Sequence, residues 1–180
     1  SKREKWKILD GNIGYIDMGV LKNADVSLAM EALMNTKSII FDIRNYPNGT
    51  VYPISEYLNN KSEEFFLWKT PDPDRSGHFM ISGNHVTGST RTDNYKGKII
   101  LLVNENTLSQ AEFTCMAFQT APDVTTIGSQ TAGADGNVTR FYLPGNIITG
   151  FSGCSPLYPD GRETQRVGID IDIISKPTLQ

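Results

Sequence analysis

Two short apolar runs constrain this chain more than any other feature. Ser38–Ile43 (SIIFDI) and Lys98–Val103 (KIILLV) are apolar over successive positions rather than alternating, and each breaks at once into turn-forming residues. A strand that is apolar at consecutive positions is expected to be buried on both faces, the condition of a parallel strand covered by helices. Val124–Gly128 reads as a further strand. Between these runs lie helical patterns: 23–35 behind an Asn23/Asp25 start signal, a short helix over 51–58, and 108–120 with Ala111, Phe113, Met116, Ala117 and Phe118 in helical period. Alternating strands flank them. Lys5–Asp10 and Asn12–Met18 turn at Asp10-Gly11, and Val138–Leu143 and Asn146–Gly150 turn at Pro144-Gly145. Strands are also expected at Phe65–Trp68, at His78–Ile81 and, last, at Val167–Ile174, with 86–95 as an exposed polar connection and 131–137 and 156–162 as loops. Strand–helix alternation in the middle with hairpins at the edges predicts an α/β fold: a mixed β-sheet with flanking helices.

Composition excludes several functions. The 180 residues are one domain's worth, long enough to bury a core without disulfides or metal. A formal net charge of −3 provides no electrostatic footprint for nucleic acid. The longest apolar run, Ile99–Val103, falls far short of a membrane-spanning segment. Two cysteines and two histidines offer little for zinc, and Asp72, Asp74, Asp93, Asp135 and Asp160 lie in loops without metal-ligand spacing, so neither metal nor cofactor is expected. Cys115 and Cys154 are read as free thiols, His78 and His85 as exposed. The chain opens on SKREKWKI, with no initiating Met and no apolar signal-peptide core, and is expected to be the C-terminal part of a longer protein.

Chemistry is expected where the two apolar strands end, because ligands of parallel sheets collect beyond the carboxyl ends of strands. One strand runs into Arg44-Asn-Tyr-Pro-Asn-Gly49, the other into Asn104-Glu-Asn-Thr-Leu-Ser-Gln-Ala-Glu112. Ser109 would open a helix, beside unpaired backbone N–H groups and the positive end of the helix dipole. That is a favourable place for a nucleophile whose attack creates an oxyanion. The N–H of Gln110 can donate to it, and the Asn48-Gly49 turn can supply a second donor. The plainer alternative is that Ser109-x-x-Glu112 is a capping box and Asn48-Gly49 only a turn. Thr131-Ala-Gly-Ala-Asp-Gly136 can cradle an anion through its N–H groups but lacks a phosphate-loop pattern.

Taken together, these segments resemble the catalytic core of the S41 serine peptidases, the C-terminal processing (tail-specific) protease and tricorn group. Ile13-Gly-Tyr-Ile16 resembles the opening strand, and Phe41-Asp-Ile-Arg-Asn-Tyr-Pro-Asn-Gly49 the D-L-R-x-N-x-G-G segment. Thr107-Leu-Ser-Gln-Ala-Glu112 resembles the S-A-S-x-E nucleophile elbow, and Gly128-Ser-Gln-Thr-Ala-Gly133 the G-x-x-T-x-G loop. Pro159-Asp-Gly161 and Gly168-Ile-Asp-Ile-Asp172 resemble the closing motifs. The resemblance implies a ClpP/crotonase-like core spanning 1–180 as a single domain, a peptide or protein substrate, Ser109 as nucleophile, and the N–H groups of Gly49 and Gln110 as the oxyanion hole. It also implies a PDZ domain upstream and an extracytoplasmic location, and leaves the oligomeric state open.

The general base is where the chain departs from the family pattern. The lysine of the processing-protease branch falls on Ala134, whose alkyl group accepts no proton. In the tricorn-like branch a histidine upstream of the core is the base, and the supporting glutamate falls on Gln165, with Glu163 two residues away as a substitute. Lys96 and Lys98 are expected at the opposite edge of the sheet. The leading expectation is therefore a serine endopeptidase whose base comes from upstream sequence. A non-catalytic peptide-binding module is the alternative, and an acyl-CoA enzyme sharing the fold is a third.

Overall fold

The computed structural model describes residues 3–176. β1 (Trp6–Leu9) and β2 (Ile13–Asp17) form the first hairpin, and a 3-10 turn (Asn23–Asp25) leads into α1 (Val26–Leu33). β3 (Ser38–Asp42), α2 (Val51–Leu58), β4 (Glu63–Pro71) and β5 (Phe79–Thr87) follow. Next come β6 (Lys98–Val103), α3 (Gln110–Phe118) and β7 (Val124–Gly128). The chain then builds the hairpin β8 (Val138–Leu143) and β9 (Ile147–Ser152), with β10 (Ser155–Leu157) and β11 (Ile173–Ile174) closing it. Six strands make the main sheet in the order β1-β2-β3-β6-β7-β11. Only β1 runs antiparallel to its neighbour; the rest are parallel, so the sheet is mixed. A second sheet, β10-β4-β5, and the separate β8-β9 hairpin complete the fold.

One face of the main sheet carries the core. Ile16, Ile39, Phe41, Ile99, Leu101 and Val103 are buried there beneath the helices. The Phe41 ring packs on Phe118 of α3 at 5.0 Å, and Leu33 of α1 lies over Gly14, where a Cβ would come within 3.1 Å of it. The opposite positions, Tyr15, Ile40, Ile100 and Leu102, are half-buried rather than sealed. The expectation of burial on both faces is thus corrected: all-apolar strands arise here with one covered face and one partly open face. Helix α3 is central, with seven of its nine residues buried, the polar Glu112 and Thr114 among them.

Four other expectations need correction. β4 and β5 are longer than Phe65–Trp68 and His78–Ile81, because cross-strand pairing continues through polar residues from Glu63↔Thr87 to Pro71↔Phe79. The 86–95 segment is not uniformly exposed: Thr87, Asn94 and Tyr95 are buried, and Tyr95 donates its hydroxyl proton to Thr36 O at 3.0 Å. The last strand shrinks to two residues. Residues ahead of it are held by other partners, Ile169 N–H by Thr131 Oγ1 (3.1 Å) and Asp170 N–H by the Tyr158 hydroxyl (3.0 Å). His78 is exposed as expected, whereas His85 is half-buried and stacks on Phe66 at 4.2 Å. Both cysteines are free; Cys115 is fully buried, and burial pushes its thiol well up.

At the end of β7, Gly128 leaves no room for a side chain: a Cβ would stand 1.9 Å from the Val103 carbonyl oxygen of β6. Gly128→Ala therefore must part the two strands that position the site. It is expected to cost about 2–3 kcal/mol, seen as a melting midpoint lower by roughly 5–10 °C. An unchanged midpoint would contradict this packing.

Candidate active site

β3, β6 and β7 are parallel neighbours, so the loops that leave them emerge at one edge of the sheet. Thr107 stitches these loops together. Its hydroxyl donates to Ile43 O beyond β3 (3.0 Å) and accepts from Asn104 N–H beyond β6 (3.0 Å), while its carbonyl accepts from Ala132 N–H beyond β7 (3.0 Å). Asp42, at the end of β3, is gripped by both arms of Arg44 and by the Tyr15 hydroxyl. Burial works against its charge, but these partners hold its carboxyl below the usual carboxylate range. Asn48 pins the following turn by donating to Gly19 O and Leu21 O. Gly49 then takes φ +70°, a conformation that suits glycine.

Ser109 is placed by a strained turn between β6 and α3. Its backbone has φ 53° and ψ −123°, whereas an ordinary N-cap is extended. Such a conformation costs a non-glycine residue about 1–3 kcal/mol and persists only where its surroundings enforce it. They do so here. The Ser109 N–H donates to Ala134 O (3.0 Å) and to Glu112 Oε2 (3.3 Å), and its carbonyl accepts from Phe113 N–H (3.0 Å). Ser109 and Glu112 form the capping-box pair, so the capping reading and the nucleophile reading describe the same residue. Among the described residues, no backbone carbonyl takes the N–H of Gly49 or of Gln110.

Glu112 is the hub of the site, a role beyond the capping box expected of it. It is fully buried. Its Oε1 accepts from Thr131 Oγ1 (2.6 Å) and Gly133 N–H (2.8 Å), and its Oε2 from Ala134 N–H (2.9 Å) as well as Ser109 N–H. The anion that the Gly-rich loop cradles is thus this carboxylate. The next two N–H groups of that loop, of Asp135 and Gly136, both donate to Gln165 Oε1 (3.0 and 2.9 Å). Four successive donors are used in pairs, and the loop is fixed from both sides.

Ser109, Gly49 and Gln110 line one cavity of about 350 Å³, whose walls include the rings of Tyr52, Trp68 and Phe113. Phe113 stacks edge-on against Phe65 and Phe66 at 4.9 and 4.7 Å, which anchors that wall in the core. The three residues expected to share chemistry are therefore brought together. Gln165 and Glu163 are not in this cavity; they line a neighbouring one with Lys69. Gln165 is engaged with the loop and with Ser152, and Glu163 pairs with Lys69. Ala134 occupies the loop position beside Ser109, as expected. Lys98 starts β6, far from the loop that ends it, and pairs with Asp123.

Sequence reading passed over Asp135, which lines the Ser109 cavity and is 6% exposed. Burial, reinforced by the Glu112 charge, pushes its carboxyl up to about 8. Its only sequence signal was its place directly after Ala134.

Comparison with known proteins bears on the family and the fold. The sequence profile of peptidase family S41 matches residues 12–175. No curated protein matches the chain in sequence. Among solved structures, a chain from Parabacteroides merdae ATCC 43184 assigned as a peptidase superposes with a TM-score of 0.82 at 21% identity, over 94% of this chain and 56% of that one. Mature CPAF in complex with lactacystin superposes with a TM-score of 0.71 at 13% identity, over 90% of this chain and 47% of that one. The photosystem II D1 C-terminal processing protease gives 0.66 at 15% identity, over 94% and 45%. The chain spans about half the length of these structures.

Proposed function

This chain belongs to peptidase family S41, and from that premise we propose that it is the core domain of a serine endopeptidase that cleaves peptides or proteins through an acyl-enzyme on Ser109. The observation that carries the proposal is the strained backbone of Ser109 at the head of α3, in a cavity shared with Gly49 and Gln110. In the reaction, Ser109 Oγ adds to the substrate carbonyl as its proton passes to the base. The oxyanion is held by the N–H groups of Gly49 and Gln110. Collapse of the adduct expels the amine, which takes the proton, and water then releases the acyl group by the same steps in reverse order.

The base is proposed to come from upstream sequence. Among the residues lining the cavity there is neither a lysine nor a histidine. His85 is stacked on Phe66, and Lys69 is paired with Glu163. No hydrogen bond joins Asp135 to Ser109. An upstream PDZ domain and an extracytoplasmic location go with this proposal; among the described residues no helix is long and apolar enough to cross a membrane.

The test compares hydrolysis of an unfolded protein substrate by the full-length protein and by residues 1–180 alone. A base typically contributes 10²–10⁴-fold, so the full-length protein is expected to be faster by about that factor. Equal rates would place the base within these residues. Binding without hydrolysis in the full-length protein would instead favour a peptide-binding module.

A further inference from the structure

The carboxyl of Asp135 has no part in the chemistry above, yet its environment is that of an unfilled partner. Asp135 lines the Ser109 cavity, and its Oδ2 is buried with no hydrogen-bond partner among the described residues; the Thr164 hydroxyl beside it gives its proton to Pro156 O at 2.9 Å. Its own N–H is turned to Gln165, so the loop offers that oxygen nothing. The carboxylate of Glu112 is close enough to act on it electrostatically. Neither carboxyl is paired with a cation: the lysine and arginine ion pairs of the described residues go to other acids. The cavity thus joins one acidic group lacking a counter-charge, on which the buried Glu112 charge also acts, to walls of Tyr52, Trp68 and Phe113. Aromatic faces attract a cation, and they also cover the methylene stem of a long side chain.

We propose that this cavity receives the substrate side chain on the acyl side of the scissile bond, and that Asp135 is the specificity-determining residue that selects lysine or arginine there. The assignment rests on the serine-peptidase reading, because it is Ser109 and its oxyanion donors that set which substrate residue lies over the cavity. A lysine ammonium or arginine guanidinium donates to the orphaned Oδ2 and supplies the missing positive charge. A neutral side chain leaves that oxygen unpaired, and an acidic one meets the Glu112 charge. The free carboxyl titrates near pH 8, so a cation that binds below that pH displaces its proton to solvent.

Equilibrium binding separates this inference from the peptidase reading, since it needs no turnover. Two peptides differing only by lysine or norleucine at one central position are titrated into the full-length protein carrying Ser109→Ala. At pH 8.5 the lysine peptide is expected to bind about tenfold or more tightly, and the preference is expected to vanish when Asp135→Asn is added. Should that second variant not fold, the pH profile of the Ser109→Ala protein decides. Asp135 is faced by Glu112 and Cys115 of α3 and by Thr164. Lysine stays charged throughout, so its advantage should shrink between pH 8 and pH 6, by up to tenfold per unit. Equal affinities, no binding of either peptide, a preference that survives Asp135→Asn, or one that is flat with pH would each overturn the assignment. Hydrolysis that Ser109→Ala leaves intact would overturn the peptidase reading instead.

Discussion

Replacing Ser109 by alanine in the full-length protein is expected to lower kcat for peptide hydrolysis by about 10⁴–10⁶, the scale seen when a serine nucleophile is removed from an otherwise intact site. The size of the loss follows from the proposed chemistry. Without Oγ there is no acyl-enzyme, and the oxyanion donors of Gly49 and Gln110 are left to assist direct attack by water, which is a far slower reaction. The fold should feel the change little. Alanine inherits the same backbone strain at φ 53°, and the Ser109 N–H keeps its bonds to Ala134 O and Glu112. A capping side chain is worth about 1 kcal/mol, so the melting midpoint should drop by roughly 2–4 °C at most. Steady-state kinetics beside a thermal scan distinguish this outcome from unfolding. A variant that retains more than a tenth of the activity would remove Ser109 from the mechanism.

Glu112→Gln should have the opposite profile, a large effect on stability that carries activity with it. The carboxylate of Glu112 is fully buried and accepts four hydrogen bonds, two on each oxygen. An amide has one oxygen and one NH2 group. Turned one way, the NH2 faces the Gly133 N–H, which loses its acceptor, and the Thr131 hydroxyl, which can rotate to accept; turned the other way, it faces the N–H groups of Ser109 and Ala134, and both lose theirs. Hydrogen bonds to a charged group are worth about 1.5–3 kcal/mol each. Allowing for relaxation of the loop, a loss of about 3–5 kcal/mol is expected, read as a fall of roughly 6–15 °C in melting midpoint. Because the donors set free belong either to Gly133 or to Ser109 and Ala134, and both pairs of bonds meet on one side chain, the loop and the Ser109 turn should shift together. The activity that remains at a temperature where the variant is still folded should therefore be reduced as well. A Glu112→Gln protein as stable as the parent would mean that this network does not hold the site.

The strands that build the site were legible because burial leaves a local trace. Ser38–Asp42 and Lys98–Val103 hold short apolar runs bounded by turn residues, Val124–Gly128 is a β-branched run that ends on glycine, and α2 occupies Val51–Leu58 as its pattern predicts. That Ser109, Gly49 and Gln110 lie in one cavity was legible for a related reason: each lies near the end of such an element, and parallel neighbours bring their ends together. What escaped is set by contacts between distant residues. The partners of Glu112 lie 19 to 22 residues away along the chain, so only its local pairing with Ser109 was readable. Asp135 looked like one loop aspartate among five because burial against α3 is a tertiary property. Gln165 is a loop brace because its side chain meets two N–H groups 30 and 29 residues away. The extended β4-β5 pairing escaped since polar residues in an exposed strand resemble a connection.

The central claim is that Ser109 is the nucleophile, activated by a base that these 180 residues do not supply. Its most direct test is to treat the full-length protein with a fluorophosphonate and to locate the adduct by peptide mass spectrometry. A single phosphonyl adduct on Ser109, absent from Ser109→Ala and formed about 10²–10⁴-fold more slowly on residues 1–180 alone, is the expected result. Hydrolytic activity with Ser109 unmodified, or an adduct on another residue that abolishes activity, would contradict the claim.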